Sequence, residues 1–229
     1  MPTLYRDPAA PSPGEYSVRR LITAAPAVLA ADHPIWQEAQ AIDWGPERYR
    51  TWFQACWDDH ALHVRFDAVD SAPWFTMRTR DEHLWEEEVV EIFLDADLSG
   101  MNYAEVEISP ANVVCDLRVE RPAPEVRSLT GWDWAGIEST VGPLGDVHGA
   151  REGWTAVVRL PWSGLRTLSE TTASRVPPRE GDAWRFNVFR IKRPGGPGRP
   201  AEGAIFAAWS VPQGPSFHVP AAFRPLRFS

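Results

Sequence analysis

The residues that could do chemistry are densest in the segment Trp85–Asp95, where four glutamates and an aspartate accompany a tryptophan and an apolar run. Glu91 lies in the middle of this segment, on a face that it shares with Val89 and Phe93. A carboxylate in such surroundings needs a partner, because an unpaired buried charge is costly. Two partners are open: a cation, with Arg190 as the first choice, or the hydroxyl groups of a bound sugar. Residue types alone favour the ion pair, since structural pairs often occupy such positions.

The same carboxylates allow a second chemistry. A pair of carboxyl groups at a suitable separation can hydrolyse a glycosidic bond. The candidates for such a pair are Glu86, Glu87, Glu88, Glu91, Glu105 and Glu107. Carboxylates are plentiful in any acidic chain, so their presence is weak evidence for catalysis. A protein without catalytic residues is therefore favoured, and a glycoside hydrolase-type enzyme is the alternative. The sequence has no P-loop, no dinucleotide-binding glycine motif and no Gly-x-Ser-x-Gly motif.

Metal ligands are sparse in the sequence. His60 and His63 form a close pair, but their odd spacing places them on opposite faces of a strand. The run from Asp95 to Gly100 is similar to the start of an EF-hand loop, yet its twelfth position is Val106 where a glutamate is needed. Asp95 and Asp97 are therefore weak calcium candidates, and no other cofactor is expected. The two cysteines, Cys56 and Cys115, are expected to be reduced core thiols.

Short alternating segments must position these residues. In His60–Val69, for example, Leu62, Val64 and Phe66 alternate with polar residues, which is typical of a half-buried strand. This segment and the preceding one predict an antiparallel hairpin around Asp58-Asp59. The predicted strands are Tyr16–Ile22, Tyr49–Trp57, His60–Val69, Glu88–Asp95, Asn102–Ser109, Val113–Glu120, Trp154–Leu160, Ala183–Arg193 and Ala204–Ser210, with a short strand near 226–228. His33–Glu47 is predicted to be a loop or a short helical turn, and Pro161–Leu165 a compact turn.

The composition supports an all-β fold. Twenty-two prolines are spread through 229 residues, which disfavours long helices and suits short strands joined by turns. We expect an antiparallel β-sandwich of about nine or ten strands, jelly-roll or immunoglobulin-like, in a single domain over residues 16–229 after a loose segment over residues 1–15. Twelve tryptophans are unusual; most should be core residues, but indole is also well suited to stacking on a ligand's apolar face.

Charge and termini restrict partners and location. The net charge of −8 argues against a nucleic-acid partner, because phosphate binding needs a basic face. No apolar run approaches the roughly 18 residues of a membrane span, so no membrane partner is expected. The first residues lack the apolar region of a signal peptide, which predicts a cytoplasmic location unless a leader has been removed. The oligomeric state stays open.

Six motifs occur in a fixed order along the chain. The central one is Trp-Glu-x-x-x-Val-Glu-x-Phe-x-Asp at Trp85–Asp95. The others lie at Cys56–Val64, at Asn102–Pro110 with Asp116, at Gly153–Leu165, at Asn187 with Arg190, and at Trp209-Ser210 with Phe217–Phe223. Together they resemble the family 9 carbohydrate-binding modules and their DOMON-like relatives, over residues from about 20 to 228. Ala104-Glu105 departs from the family pattern, which has a basic residue after the tyrosine.

The resemblance implies a binding site. In that family two aromatic rings enclose the terminal sugar of a glycan, and polar side chains bind its hydroxyl groups. Trp85 matches the first ring and Glu91 the hydroxyl-binding carboxylate. The remaining candidates implied by the resemblance are Trp209 or Phe217 as the second ring, and Asn187, Arg190 and His218 as polar groups. Structural calcium is also implied. The favoured function is therefore non-catalytic binding of a glycan end or small sugar.

A DOMON-like domain could instead bind another ligand such as haem in its cleft. Haem iron needs an axial ligand such as His or Met, and His218 is the candidate beside the expected rim of the site. This alternative ranks below the glycosidase.

Overall fold

The computed structural model describes residues 4–7, 13–22, 24–25, 27–121, 125–146, 148–150, 152–169 and 176–229. Strands dominate this part of the chain. They are β1 (Tyr16–Arg20), β2 (Ala41–Trp44), β3 (Thr51–Trp57), β4 (Ala61–Val69), β5 (Val89–Asp95), β6 (Asn102–Ile108), β7 (Val114–Glu120), β8 (Arg127–Leu129), β9 (Glu138–Pro143), β10 (Gly153–Pro161), β11 (Ala183–Lys192), β12 (Ile205–Ala208) and β13 (Arg224–Phe228). The helices are α1 (Ile35–Glu38) and α2 (Trp162–Ser169), with 3-10 turns at Glu47–Tyr49, Leu84–Glu86 and Pro220–Ala222.

The strands of the described residues join into one curled mixed sheet. Its order is β8-β7-β6-β5-β11-β13-β1-β3-β4-β10-β9, while β12 pairs with β11 and β2 with β3. Pairing is antiparallel except at β1, which runs parallel to β13 (Tyr16 opposite Leu226) and to β3 (Arg19 opposite Cys56). The all-β prediction is confirmed. The described strands number thirteen, more than the nine or ten expected, because short exposed strands such as β8 and β9 lack a regular apolar pattern.

The main core lies between two halves of the sheet, β8-β7-β6-β5-β11-β13 and β3-β4-β10-β9, which β1 joins. Phe53 of β3 and Phe186 of β11 approach to 5.7 Å between ring centroids, and Tyr16 of β1 contacts both rings edge-on, at 5.4 and 5.5 Å. Trp44, Trp154 and other buried apolar side chains of both halves belong to the same cluster. The apolar positions that alternate along the predicted strands therefore face each other here.

A second cluster packs on the opposite face of β5, β6, β7 and β11. It contains Phe93, Tyr103 and Phe189, which are covered by Phe217 and Phe223 from the end of the chain. We call this surface, with the residues that cover it, the aromatic face. Residues that alternate with the main-core positions of these strands point to it, so it carries Glu91 as well.

Three local features differ from or add to the sequence predictions. The predicted turn at Pro161–Leu165 is the start of helix α2. Part of residues 1–15 lies outside the described residues; within the described part, Leu4 is buried and forms an isolated parallel bridge with Phe206. Cys56 and Cys115 are buried free thiols, as expected.

Candidate functional site

Trp85 lies at the edge of the aromatic face, in the 3-10 turn that precedes β5. Its side chain is half-buried against the second cluster, and its indole stacks on the exposed His83 ring with 4.4 Å between centroids. The turn is held by Arg193, which donates from Nη2 to the Trp85 carbonyl at 2.8 Å. An indole is thus held in a fixed place while part of it remains open to solvent.

The glutamates that follow Trp85 have structural partners. Glu87 accepts hydrogen bonds from the amides of Thr76 and Met77, at 2.8 and 3.2 Å. Glu88 forms an ion pair with Lys192 at 2.8 Å. These contacts tie the turn to residues 74–77 and to β11, so Glu87 and Glu88 position Trp85 and are not free to act as catalytic carboxylates.

Three other glutamates come together on the aromatic face. Glu91 of β5 lies directly opposite Glu107 of β6 in the strand register, and Glu105 is two residues away on the same face. One carboxylate oxygen of each lies within 4.8 Å of the others. The residues are 1%, 0% and 4% exposed for Glu91, Glu107 and Glu105, respectively.

Burial controls the ionisation of these groups. It raises the pKa of Glu91 and of Glu107 well above the ordinary value, and the neighbouring carboxylates raise both further. Burial also raises the pKa of Glu105, to about 7. The aromatic face therefore holds three carboxyl groups whose negative charge is strongly disfavoured without a positive partner.

The prediction that Arg190 pairs with Glu91 is wrong. Arg190 lies opposite Val90 in the register of β5 and β11, whereas Glu91 lies opposite Phe189. Because side chains alternate across a strand, Arg190 points to the main core and Glu91 to the aromatic face. Arg190 instead pairs with Asp70 at 2.7 Å.

Asn187 and Trp209 lie on opposite sides of the sheet. Asn187 is opposite Phe93 in the register and alternates with the main-core residues of β11, so it is on the side of the aromatic face, whereas Trp209 lies towards the main core. Asn187 is fully buried; its amide donates to the Ser210 carbonyl at 2.7 Å and accepts from the Ser210 amide at 3.1 Å. Trp209 is half-buried and packs against Phe186 at 5.2 Å. The structure therefore does not bring Arg190 and Trp209 to the face that holds Trp85 and Glu91, whereas Asn187 lies on that side of β11.

Phe217 and His218 do lie on the aromatic face. The Phe217 ring stacks on Phe189 at 4.3 Å, and the His218 ring stacks on Phe93 at 5.3 Å. His218 Nδ1 is 3.0 Å from the Tyr103 hydroxyl. Burial, with a smaller effect of nearby Arg121, lowers the pKa of His218 to about 4, so the imidazole is neutral at neutral pH.

The two weak calcium candidates share the turn after β5. Asp95 is buried and accepts from the Gly100 amide at 3.0 Å, and Asp97 accepts from the Ser99 amide at 2.8 Å. Burial and the adjacent Asp97 raise the pKa of Asp95 to about 7. The carboxylates thus satisfy the backbone of their own turn, and calcium binding there stays a prediction.

Comparisons with known proteins agree with this architecture. Residues 30–113, which include Trp85, Glu91 and Glu107, match the model for carbohydrate family 9 binding domain-like sequences. This stretch of the chain is similar in sequence to the family 9 carbohydrate-binding domains. An "extracellular protein" from Arthroderma benhamiae is 26% identical over 190 residues, which is 78% of each chain.

Solved family 9 modules have the same fold. A module from Caldicellulosiruptor kristjanssonii in complex with glucose gives a TM-score of 0.64 at 14% identity, over 94% of this chain and 95% of that one. The complex with cellotriose gives 0.62 at 14% identity, over 93% of both chains. Among the described residues, no helix has the length and apolar composition needed to cross a bilayer.

Sequence reasoning missed several parts of the aromatic face. Glu105 and Glu107 were named only as possible catalytic acids, although their spacing of two on one strand already places them on one face. The pairing of β5 with β6 adds Glu91, and this register cannot be read from the sequence. Arg193 and His83 gave no signal, because their contacts with Trp85 depend on the fold.

Proposed function

We propose that this protein binds carbohydrate without catalysis, at the edge of the aromatic face, with a sugar ring stacked on Trp85. The observation that carries this proposal is the fixed, half-buried indole of Trp85 beside the polar side chains of His83 and Glu86, whose nearest nitrogen and oxygen are 3.7 Å apart. A pyranose has an apolar face of C–H groups that matches an indole. Water exclusion at that contact strengthens nearby hydrogen bonds to the hydroxyl groups.

His83 and Glu86 are the polar groups best placed for these hydroxyl contacts, since both side chains are more than half exposed. Glu91 is the buried carboxylate of the same face, and its direct contact with a sugar requires the covering residues to move. Phe217 shares the face with Trp85 and is our candidate for the second ring, although it too must become more exposed. Solved family 9 modules in complex with glucose and with cellotriose support the ligand class.

Two other functions are less well supported. A glycosidase would need an accessible acid pair, and Glu91, Glu105 and Glu107 are buried. Haem ligation would need a free imidazole, and His218 is engaged with Tyr103 and stacked on Phe93.

We propose that the protein does not catalyse a reaction of its ligand. We also propose that the two halves of the sheet pack as a jelly-roll-like sandwich. The relative from Arthroderma benhamiae makes an extracellular location the one to test against a cytoplasmic one.

Calorimetric titration with glucose and with cellotriose tests the proposal, with an unrelated monosaccharide series and a glycan array to define the sugar. We expect saturable binding at one site per chain without release of shortened product. Product release would favour the glycosidase, and visible absorbance in the purified protein would favour haem. A protein that binds none of the arrayed glycans would contradict the proposal.

A further inference from the structure

The glutamates of β5 and β6 are arranged like the ligands of a cation. The register places Glu91 opposite Glu107, and the third carboxylate, Glu105, projects from the same face of β6. One oxygen from each lies within 4.8 Å of the others. Like charges directly opposite each other on a sheet are destabilising, and these carboxylates are more than nine-tenths buried.

Some oxygens of these side chains are also unpartnered. One oxygen of Glu91 and one of Glu105 accept no hydrogen bond within the described part of the chain. The Glu107 carboxyl is in reach of the Trp85 amide and of the Glu105 carboxyl. His218 Nδ1 lies 3.9 Å from Glu105 and 3.0 Å from the Tyr103 hydroxyl. Across the described residues, no lysine or arginine pairs with any of the three carboxylates. An unpaired buried charge is costly, so this geometry calls for a positive ion.

We propose that Glu91, Glu105 and Glu107 bind one divalent cation between β5 and β6. Carboxylate oxygens are hard ligands, which suit Ca²⁺, Mg²⁺ and Mn²⁺. The three ligands come from two paired strands, so a bound ion replaces repulsion between neighbouring strands by attraction. The site lies within the aromatic face, and the ion can bind there in the absence of sugar.

A second group of acidic residues differs from the first in having a positive side chain beside it. Asp81, Asp116 and Asp133 also lie within reach of a common ion. Arg80 contacts all three: it lies 3.6 Å from Asp81 and 3.7 Å from Asp133, and it hydrogen-bonds to Asp116. A guanidinium already supplies the positive charge there, so we assign no metal to that group and use Asp133 for a control variant.

The test uses the full chain, treated with a chelator, dialysed and titrated with Mn²⁺ while free Mn²⁺ is followed by electron paramagnetic resonance. We expect one tightly bound Mn²⁺ per chain, displaced by Ca²⁺ or Mg²⁺. Glu107→Gln should weaken Mn²⁺ binding by at least about tenfold, since even the loss of an outer-shell partner costs 10–100-fold. The matched control, Asp133→Asn, should bind Mn²⁺ like the wild type.

Thermal melts in chelator show whether the variants fold. Glu107→Gln removes a like-charge pair, so it should melt no lower than the wild type, and Glu91→Gln serves as a second variant. Wild-type protein that takes up no Mn²⁺ would overturn the proposal and leave protons to neutralise the carboxyls. Equal Mn²⁺ affinity in folded Glu107→Gln and wild type would place the ion elsewhere and overturn it as well.

Discussion

Arg193 is the residue that fixes the conformation of the Trp85 turn. Its guanidinium donates to three backbone carbonyls, those of Trp85 at 2.8 Å, Glu87 at 3.1 Å and Pro200 at 3.1 Å. These bonds join the segment before β5 to the loop after β11. The planar fork of arginine can reach all three acceptors at once, which the single nitrogen of lysine cannot do.

Arg193→Ala should therefore weaken cellotriose binding by roughly tenfold while destabilising the fold by about 1–3 kcal/mol, the usual cost of lost hydrogen bonds from a charged group. Arg193→Lys should keep the charge and still bind weakly, because one ammonium cannot hold three carbonyls in place. Calorimetry and urea unfolding measure the two effects separately. If both variants bind cellotriose like the wild type, Arg193 has no part in positioning Trp85.

At the scale of elements, Asp58 organises the hairpin of β3 and β4. Its carboxylate accepts from the amides of His60 at 2.7 Å, Ala61 at 2.9 Å and Ala25 at 2.7 Å, and lies 3.3 Å from His63 Nε2. Burial alone would raise the pKa of Asp58, but the hydrogen bonds from His63 and the three amides outweigh it and lower the pKa below its ordinary value.

A group whose pKa is lower in the folded than in the unfolded state stabilises the fold above its unfolded pKa, and this stability is lost as pH falls through the folded pKa. Asp58→Asn should thus cost about 2–3 kcal/mol at neutral pH, as expected for hydrogen bonds to a charged group. The difference from wild type should shrink below about pH 4, where the unfolded carboxyl becomes protonated. Urea unfolding at both pH values measures this; a difference that does not change with pH would contradict the assignment.

A strand could be predicted from the sequence where apolar and polar residues alternate regularly along it. His60–Val69 alternates without interruption, and β4 occupies Ala61–Val69. By contrast, β9 (Glu138–Pro143) contains glycine and proline and lies mostly exposed at the end of the sheet, so it has no apolar face to detect. The partner of Glu91 was missed for a different reason: alternation gives the face of a residue within its strand, whereas pairing register depends on contacts distant in sequence.

The candidate site was only partly visible for the same reason. Trp85 and Glu91 could be singled out from one segment and from the family resemblance, and both lie on the aromatic face. Asn187 and Arg190 belong to a strand whose two faces serve different clusters, and the sequence does not say which face meets the ligand. Trp209 follows β12 on the side of the main core, a position fixed by its backbone bond to Val188.

At the scale of the whole molecule, β1 connects the two halves of the sheet. Residues 16–18 pair with β13 and residues 19–20 with β3. The Tyr16 hydroxyl, buried at this junction, donates to the Gln40 carbonyl at 2.6 Å and accepts from the Ala55 amide at 2.7 Å. Each half thus depends on the other for its core and for its backbone pairing.

Residues 16–229 should therefore unfold as one cooperative unit. Tryptophan fluorescence and far-ultraviolet circular dichroism should report the same urea midpoint, as in two-state unfolding. Tyr16→Phe should lower the free energy of unfolding by about 1–3 kcal/mol, because it leaves a buried amide and a carbonyl without their partner. Both probes should report the same decrease. Two separate transitions, or a shift seen by one probe alone, would show that the halves are independent domains.

The most direct test of the account compares cellotriose binding to Trp85→Ala and Trp209→Ala by calorimetry, with melting temperatures as the control for folding. Both tryptophans are half-buried, but Trp85 lies on the aromatic face and Trp209 packs against Phe186 on the main-core side. We predict that Trp85→Ala abolishes binding and costs less stability than the roughly 3–5 kcal/mol of a fully buried tryptophan, while Trp209→Ala still binds. Retained binding in folded Trp85→Ala, with binding lost in folded Trp209→Ala, would contradict the account and place the sugar on the other face of the sheet.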